Sequence, residues 1–253
     1  MRNYLEKAKR ITPVRIRDCR STKQFALWFF VNLYDMFPLM IFFSVYIIWF
    51  TVLEHINRLH YTVIHTWIDD RIPFIEEFIV PYELWFAFVI VSVVFLYFKD
   101  RGTYYRTASF LCIGMSLFLI ISSIWPNIQF LRPGEFPRDN VFTHMIAALY
   151  QSDTPTNLCP SIHVYNTIAV VAGILHSSWR IFRKTGVRIA SVTLGVLIIL
   201  STLFIKQHSF FDVCCACALA VFSYFLCFHL GFTFSGKMIR RGAFVRFGAE
   251  QSE

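Results

Sequence analysis

Apolar residues in this chain do not alternate; they run. Six stretches carry almost no charge: Phe25–Leu53, Tyr82–Phe98, Thr107–Trp125, Ser161–His176, Ile189–Ile205 and Phe210–Phe234. A helix crossing a bilayer needs about 20 mostly apolar residues, so each run predicts a membrane-spanning helix. The first run is overlong and holds Asp35 and Pro38. Aspartate is a favoured helix cap, which puts the expected start of that helix near Asp35, after an interfacial segment. A polar contact inside the bundle is the other reading of Asp35.

The polar positions are as ordered as the apolar ones. Lys99, Arg101 and Arg106 follow the second run, and Arg180, Arg183, Lys184 and Arg188 follow the fourth. Cationic loops stay on the cytoplasmic side. The predicted chain is a basic cytoplasmic tail over 1–23, a transmembrane domain over 24–234 and a basic cytoplasmic tail over 235–253. Residues 54–81 hold Asp69, Asp70, Glu76 and Glu77 with few cations and read as an external interfacial stretch. Residues 126–160 form the longest connection. Its amphipathic pattern from Val141 to Tyr150 predicts an ordered, partly helical loop lying over the membrane face as a partial lid.

Composition agrees with this architecture. Of 253 residues 56% are hydrophobic and only 16% charged, with mean hydropathy +0.53; a soluble domain carries about 25% charged residues. The net charge of +8 lies in short segments beside the apolar runs. That placement fits anionic lipid head groups and excludes a nucleic-acid surface. The seven cysteines fall mostly inside apolar runs. Cys214, Cys215 and Cys217 lack zinc-ligand spacing, so no metal site is expected. Cys159 alone lies beside candidate chemistry, as a free thiol.

That chemistry sits at two run edges. Cys159-Pro160-Ser161-Ile162-His163 opens the fourth run, and Lys206-Gln207-His208-Ser209-Phe210-Phe211-Asp212 opens the sixth. If the sixth run is helical from about Ser209, His208 and Asp212 lie near one another on one face. A carboxylate beside an imidazole fixes its tautomer and makes a nucleophile of it. A second histidine can then protonate a leaving group. The bland alternative is a pair of hydrogen-bonded interface histidines.

Pro160-Ser161-Ile162-His163 resembles the Pro-Ser-Gly-His motif of the type 2 phosphatidic acid phosphatase (PAP2) superfamily. The stretch Ser201 to Asp212 resembles that superfamily's Ser-Arg-x5-His-x3-Asp motif, and Arg132-Pro133 matches the end of its Lys-x6-Arg-Pro motif. The three follow the family's order over roughly 125–212. They depart from it at Trp125, Ile162 and Thr202, where the family has lysine, glycine and arginine. Such variation is similar to the branch of inositol-phosphorylceramide synthase-like proteins.

The resemblance implies an all-α, six-helix PAP2-like bundle; the placement of the cationic segments puts the termini inside and the site outside, and the compact single-domain form points to a bacterial cytoplasmic membrane. It implies that His208 attacks a lipid phosphate to form a phosphohistidine, Asp212 holds its other ring nitrogen, and His163 serves as acid and then base. Arg132 and Ser161 would bind phosphate oxygens. Arg132 as an interfacial anchor and Ser161 as a simple helix cap are the structural alternatives. Lys206 could replace a missing cation or anchor at the membrane edge. Gln129, Asn157 and His144 are expected polar neighbours. No cofactor is expected. The expected substrate is a phosphorylated lipid or isoprenoid pyrophosphate with water as acceptor; a phosphotransferase using a hydroxyl acceptor and a non-catalytic lipid-binding protein are the alternatives.

Overall fold

The computed structural model describes residues 22–234 apart from 57 and 59, with side chains from 37 onward. The basic tails at 1–21 and 235–253 lie outside the described residues. Among the described residues seven α-helices carry the fold: α1 Thr22–His55, α2 Ile79–Lys99, α3 Arg101–Ile124, α4 Val141–Ser152, α5 Ile162–His176, α6 Thr185–Phe204 and α7 Phe210–Tyr224. A 3-10 turn, Glu76–Phe78, leads into α2, and a π turn, Phe225–His229, continues α7.

Five of these helical stretches are long and apolar enough to cross a bilayer, which makes the chain an integral membrane protein. Their outer faces support this. Leu84, Phe86, Ile90 and Val91 on α2, and Ile189, Val192 and Val196 on α6, are exposed. A soluble helix would turn a polar face there.

One expectation is met in part and one is corrected. The fourth apolar run forms α5, which has only 15 residues. At 1.5 Å per residue it is about 22 Å long, short of the roughly 30 Å hydrocarbon core. The first helix does not begin near Asp35; it runs unbroken from Thr22 with Pro38 inside it. Proline removes one backbone hydrogen bond, which helices in apolar surroundings tolerate.

The chain divides into two compact units, 1–47 and 48–253. The described part of the first is the beginning of α1, where the Ser44 hydroxyl donates to the Met40 carbonyl. In the second, α5 is the hub and packs against α2, α3, α6 and α7. Small residues allow this. The Tyr165 ring occupies the space a side chain at Gly114 would need, and its hydroxyl donates to the Phe110 carbonyl at 2.8 Å. Phe110, Leu111, Val164, Ala169, Val213 and Ala216 close the core around it. Because α5 is held on every side, the position of its first turn is fixed.

At that end of the bundle the connections are ordered. Thr62–Val63 (β1) pairs in parallel with Asn127–Ile128 (β2), and Ile128 bridges Thr156. The buried Asn127 side chain accepts from the N–H groups of Leu158 (2.7 Å) and Cys159 (3.2 Å). It thereby sets the chain's approach to Ser161. The helix expected from Val141 forms as α4, with an Asn140–Thr143 capping box.

Candidate active site

The turn from α6 to α7 is short, and most of its backbone is hydrogen-bonded. The Thr202 carbonyl accepts from the N–H groups of both Gln207 and His208 at 3.0 Å. Lys206 adopts a positive φ of 55°, a conformation that costs a non-glycine residue roughly 1–2 kcal/mol. Side-chain clasps hold it. Ser209 caps α7, and its N–H donates to Asp212 Oδ2 at 2.9 Å. Asp69, from the segment before α2, accepts from Ser209 Oγ and the Phe210 N–H, each at 2.7 Å.

These bonds aim His208. Its Nδ1 lies 3.5 Å from Asp212 Oδ2, and its Nε2 lies 3.5 Å from His163 Nδ1. Both distances are at the long limit of hydrogen bonding. His163 is the second residue of α5, two positions after its cap, Ser161. The Ser161 hydroxyl oxygen accepts from the Val164 N–H at 3.4 Å, and the Ser161 N–H donates to the Asp212 carbonyl at 3.3 Å. That last bond joins the first turns of α5 and α7. The His163 ring stacks on Tyr82 (4.7 Å between centroids) and lies 4.3 Å from Trp85.

Arg132 closes the constellation. Its guanidinium donates through Nη1 to the carbonyls of Tyr150 (3.2 Å) and Asp153 (2.9 Å) and through Nη2 to Gln207 Oε1 (2.8 Å). It lies 4.4 Å above the Tyr150 ring. Partial burial pulls its pKa down, against the attraction of Asp153. Burial pushes the Asp153 carboxyl up, although His208 and Arg132 oppose this. The Tyr150 hydroxyl donates to the Ile205 carbonyl at 2.6 Å, tying α4 to the histidine turn.

The structure therefore brings together Arg132, Ser161, His163, His208 and Asp212. Lys206 belongs to the same turn but points elsewhere: its ammonium donates to the backbone carbonyls of Asp69 (2.9 Å) and Ile72 (2.6 Å). Burial lowers its pKa, against the nearby Asp69 and Asp70 carboxylates. Gln129 is a neighbour, donating to the carbonyls of Lys206 and Gln207 at 3.0 and 2.7 Å. Asn157 is buried with a positive φ of 54°. His144 is not part of the site. It is exposed and paired with Asp139 at 2.6 Å, because α4 buries Ile146, two residues and about 200° away on the helix. Burial and the Asp212 charge push the Cys159 thiol up, which keeps it protonated.

Five contributors are not singled out by the sequence motifs: Asp69, Tyr82, Trp85, Asp153 and Gln207. Gln207 could have been found from its place next to His208. Tyr82 and Trp85, spaced i and i+3, mark one face of α2. Asp69 had no local signal, since its partners lie 140 and 141 residues away.

Chemically, an imidazole backed by a carboxylate and faced by a second imidazole can act as a nucleophile with its own acid–base partner. Comparison of the chain with protein-family models, curated proteins and solved structures gives no match.

Proposed function

We propose that this protein is a membrane-embedded enzyme that cleaves a phosphate ester of a lipid through a phosphohistidine. With water as acceptor it is a lipid phosphatase; with a hydroxyl acceptor it is a phosphotransferase. The observation carrying this reading is the line Asp212–His208–His163, whose two contacts use opposite nitrogens of the His208 ring.

In the first step His208 Nε2 forms a bond to phosphorus while the bond from phosphorus to the leaving oxygen breaks. Asp212 accepts the Nδ1 proton in a hydrogen bond and stabilises the positive ring. His163 gives its proton to the leaving oxygen. In the second step the acceptor oxygen attacks phosphorus and passes its proton to His163, and the phosphorus–nitrogen bond breaks. The Arg132 N–H groups stabilise charge on the phosphate oxygens. The long contacts around His208 shorten when substrate enters, as is common for catalytic pairs.

The hydroxyl-acceptor reading is favoured by one observation: Tyr82 and Trp85 cover His163, the base for the acceptor. Such shielding disfavours bulk water. In the full arrangement α5 completes a sixth crossing, its 15 residues accommodated by local thinning of the bilayer. The termini lie on the cytoplasmic side and the site on the other.

Detergent-purified protein offered phosphatidic acid, isoprenoid pyrophosphates and phospholipids, with and without hydroxyl acceptors, tests this. Wild type releases phosphate or exchanges a head group, and His208→Ala loses at least about 1000-fold of that rate. Full turnover in His208→Ala would remove the nucleophile and the proposal with it.

A further inference from the structure

The side chain of Gln207 is buried, 1% exposed, and half of it is unexplained. Its Oε1 accepts from Arg132 Nη2, which fixes the amide's orientation and identifies the other atom as the nitrogen. That Nε2, with two N–H donors, has no partner, and neither has the buried Nε–H of Arg132. Buried amide donors are nearly always paired, so an unpaired one beside a reactive histidine has a ligand to meet. The two free groups belong to one hydrogen-bonded pair, and Gln207 immediately precedes His208 in the chain.

The charge count around them limits the ligand. Lys206 is held by the Asp69 and Ile72 carbonyls, Arg138 is ion-paired to Glu76 at 2.9 Å, and Arg58 donates to the Ser123 carbonyl. Among the described residues Arg132 is thus the one cation bonded to the histidine turn through its side chain. Asp153 brings a carboxylate close to it, and Asp212 brings one close to His208. One guanidinium balances one negative charge, and a neutral amide supplies donors without adding another. Two donors suit two non-bridging oxygens.

We infer that Gln207 is a phosphate-oxygen ligand and that, paired with Arg132, it fits the site to a singly charged lipid phosphodiester in preference to a doubly charged phosphomonoester. This rests on the proposed histidine reaction. In that reaction His208 displaces one alcohol, which takes its proton from His163. The other alcohol stays esterified to phosphorus throughout; when the acceptor oxygen attacks, it is the phosphorus–nitrogen bond that breaks.

The test uses two lipids with identical tails: dioleoyl phosphatidylmethanol, a diester, and dioleoyl phosphatidic acid, a monoester. Each is presented to the full chain in mixed micelles containing glycerol and diacylglycerol as hydroxyl acceptors, and loss of lipid is followed by mass spectrometry. The diester is expected to have a kcat/KM at least about tenfold above the monoester. Gln207→Glu keeps the acceptor for Arg132 but removes both donors, and should cut diester kcat/KM by about 100-fold or more. Gln207→Lys adds the second cation and should shift the diester-to-monoester ratio at least about tenfold toward the monoester. Melting curves establish that each variant is folded; should Gln207→Glu not fold, the wild-type ratio and Gln207→Lys still decide. Preference of the wild type for phosphatidic acid would overturn the inference and leave the histidine reaction standing. An unchanged ratio in folded Gln207→Lys would overturn it as well. Turnover of neither lipid by folded wild type, with none on the wider panel, would bring down the histidine reaction itself.

Discussion

At each end of the helix bundle a buried aspartate ties two distant turns together. Asp100, capping α3, accepts from Thr103 N–H at 3.1 Å, from both serine hydroxyls of Ser177 and Ser178 at 3.0 Å and from the Ser178 N–H at 2.8 Å. Asp69 likewise accepts four: the Thr66 N–H and hydroxyl at 2.8 Å, the Ser209 hydroxyl and the Phe210 N–H. The surroundings differ. Asp100 and its short serine and threonine partners satisfy one another. Around the turn held by Asp69, the buried Gln207 Nε2, His208 Nδ1, Asp212 Oδ1, Gln129 Oε1 and Arg132 Nε have no hydrogen-bond partner. A structural clasp uses up its polar groups, whereas a site keeps some in reserve at a cost in stability.

Asp69→Asn should break the comparison most severely. Asparagine puts an N–H2 donor against groups that already donate, so charged-acceptor hydrogen bonds are lost in both turns. The expected loss is about 2–4 kcal/mol of stability. Because Asp69 holds the first turn of α7, the aim of His208 suffers too, and kcat should fall at least about tenfold with KM little changed. Thermal unfolding in detergent and lipid turnover check the two parts. Lost stability with full kcat would mean that the clasp holds the fold and does not position the histidine.

Asp100→Asn sharpens the contrast. It should cost about 1–3 kcal/mol by the same loss of bonds, yet leave kcat/KM within about twofold of wild type. A loss of activity matching that of Asp69→Asn would show that the two ends are coupled and that the distinction drawn between them is false.

How far the sequence carried the reading follows the same division. The apolar runs announced the helices because their composition leaves little else to form in lipid. His163, His208 and Asp212 were legible because they sit at run edges, and Arg132 because it lies, followed by Pro133, within the 126–160 connection; the histidine-run residues lie at the ends of neighbouring helices. The shortness of α5 was visible in its run but masked by counting runs as crossings. The start of α1 was missed because a capping residue and a proline at 35 and 38 outweighed continuous apolarity. Asp69 and the turning away of Lys206 were illegible for one reason. Each depends on pairing the 64–72 segment with the 205–210 turn, and a pairing between segments so far apart has no local pattern to announce it.

The smallest effect expected is also the most diagnostic of the Asp69 clasp. Burial pushes the Asp69 carboxyl up, but hydrogen bonds from Phe210, Ser209 and Thr66 outweigh this and hold its pKa below the ordinary 3.8. A carboxyl depressed in the folded state binds its proton more readily when unfolded. Its contribution to stability is therefore full above about pH 4 and fades as pH falls through the lower, folded value. The melting-temperature gap between wild type and Asp69→Asn should accordingly be constant from about pH 7 to 5 and narrow between about pH 4 and 3. Subtracting the variant removes the other carboxylates, which titrate in both proteins. A gap that stayed constant down to pH 3 would mean the carboxylate carries no net favourable bonds, and Asp69 would then be no clasp at all.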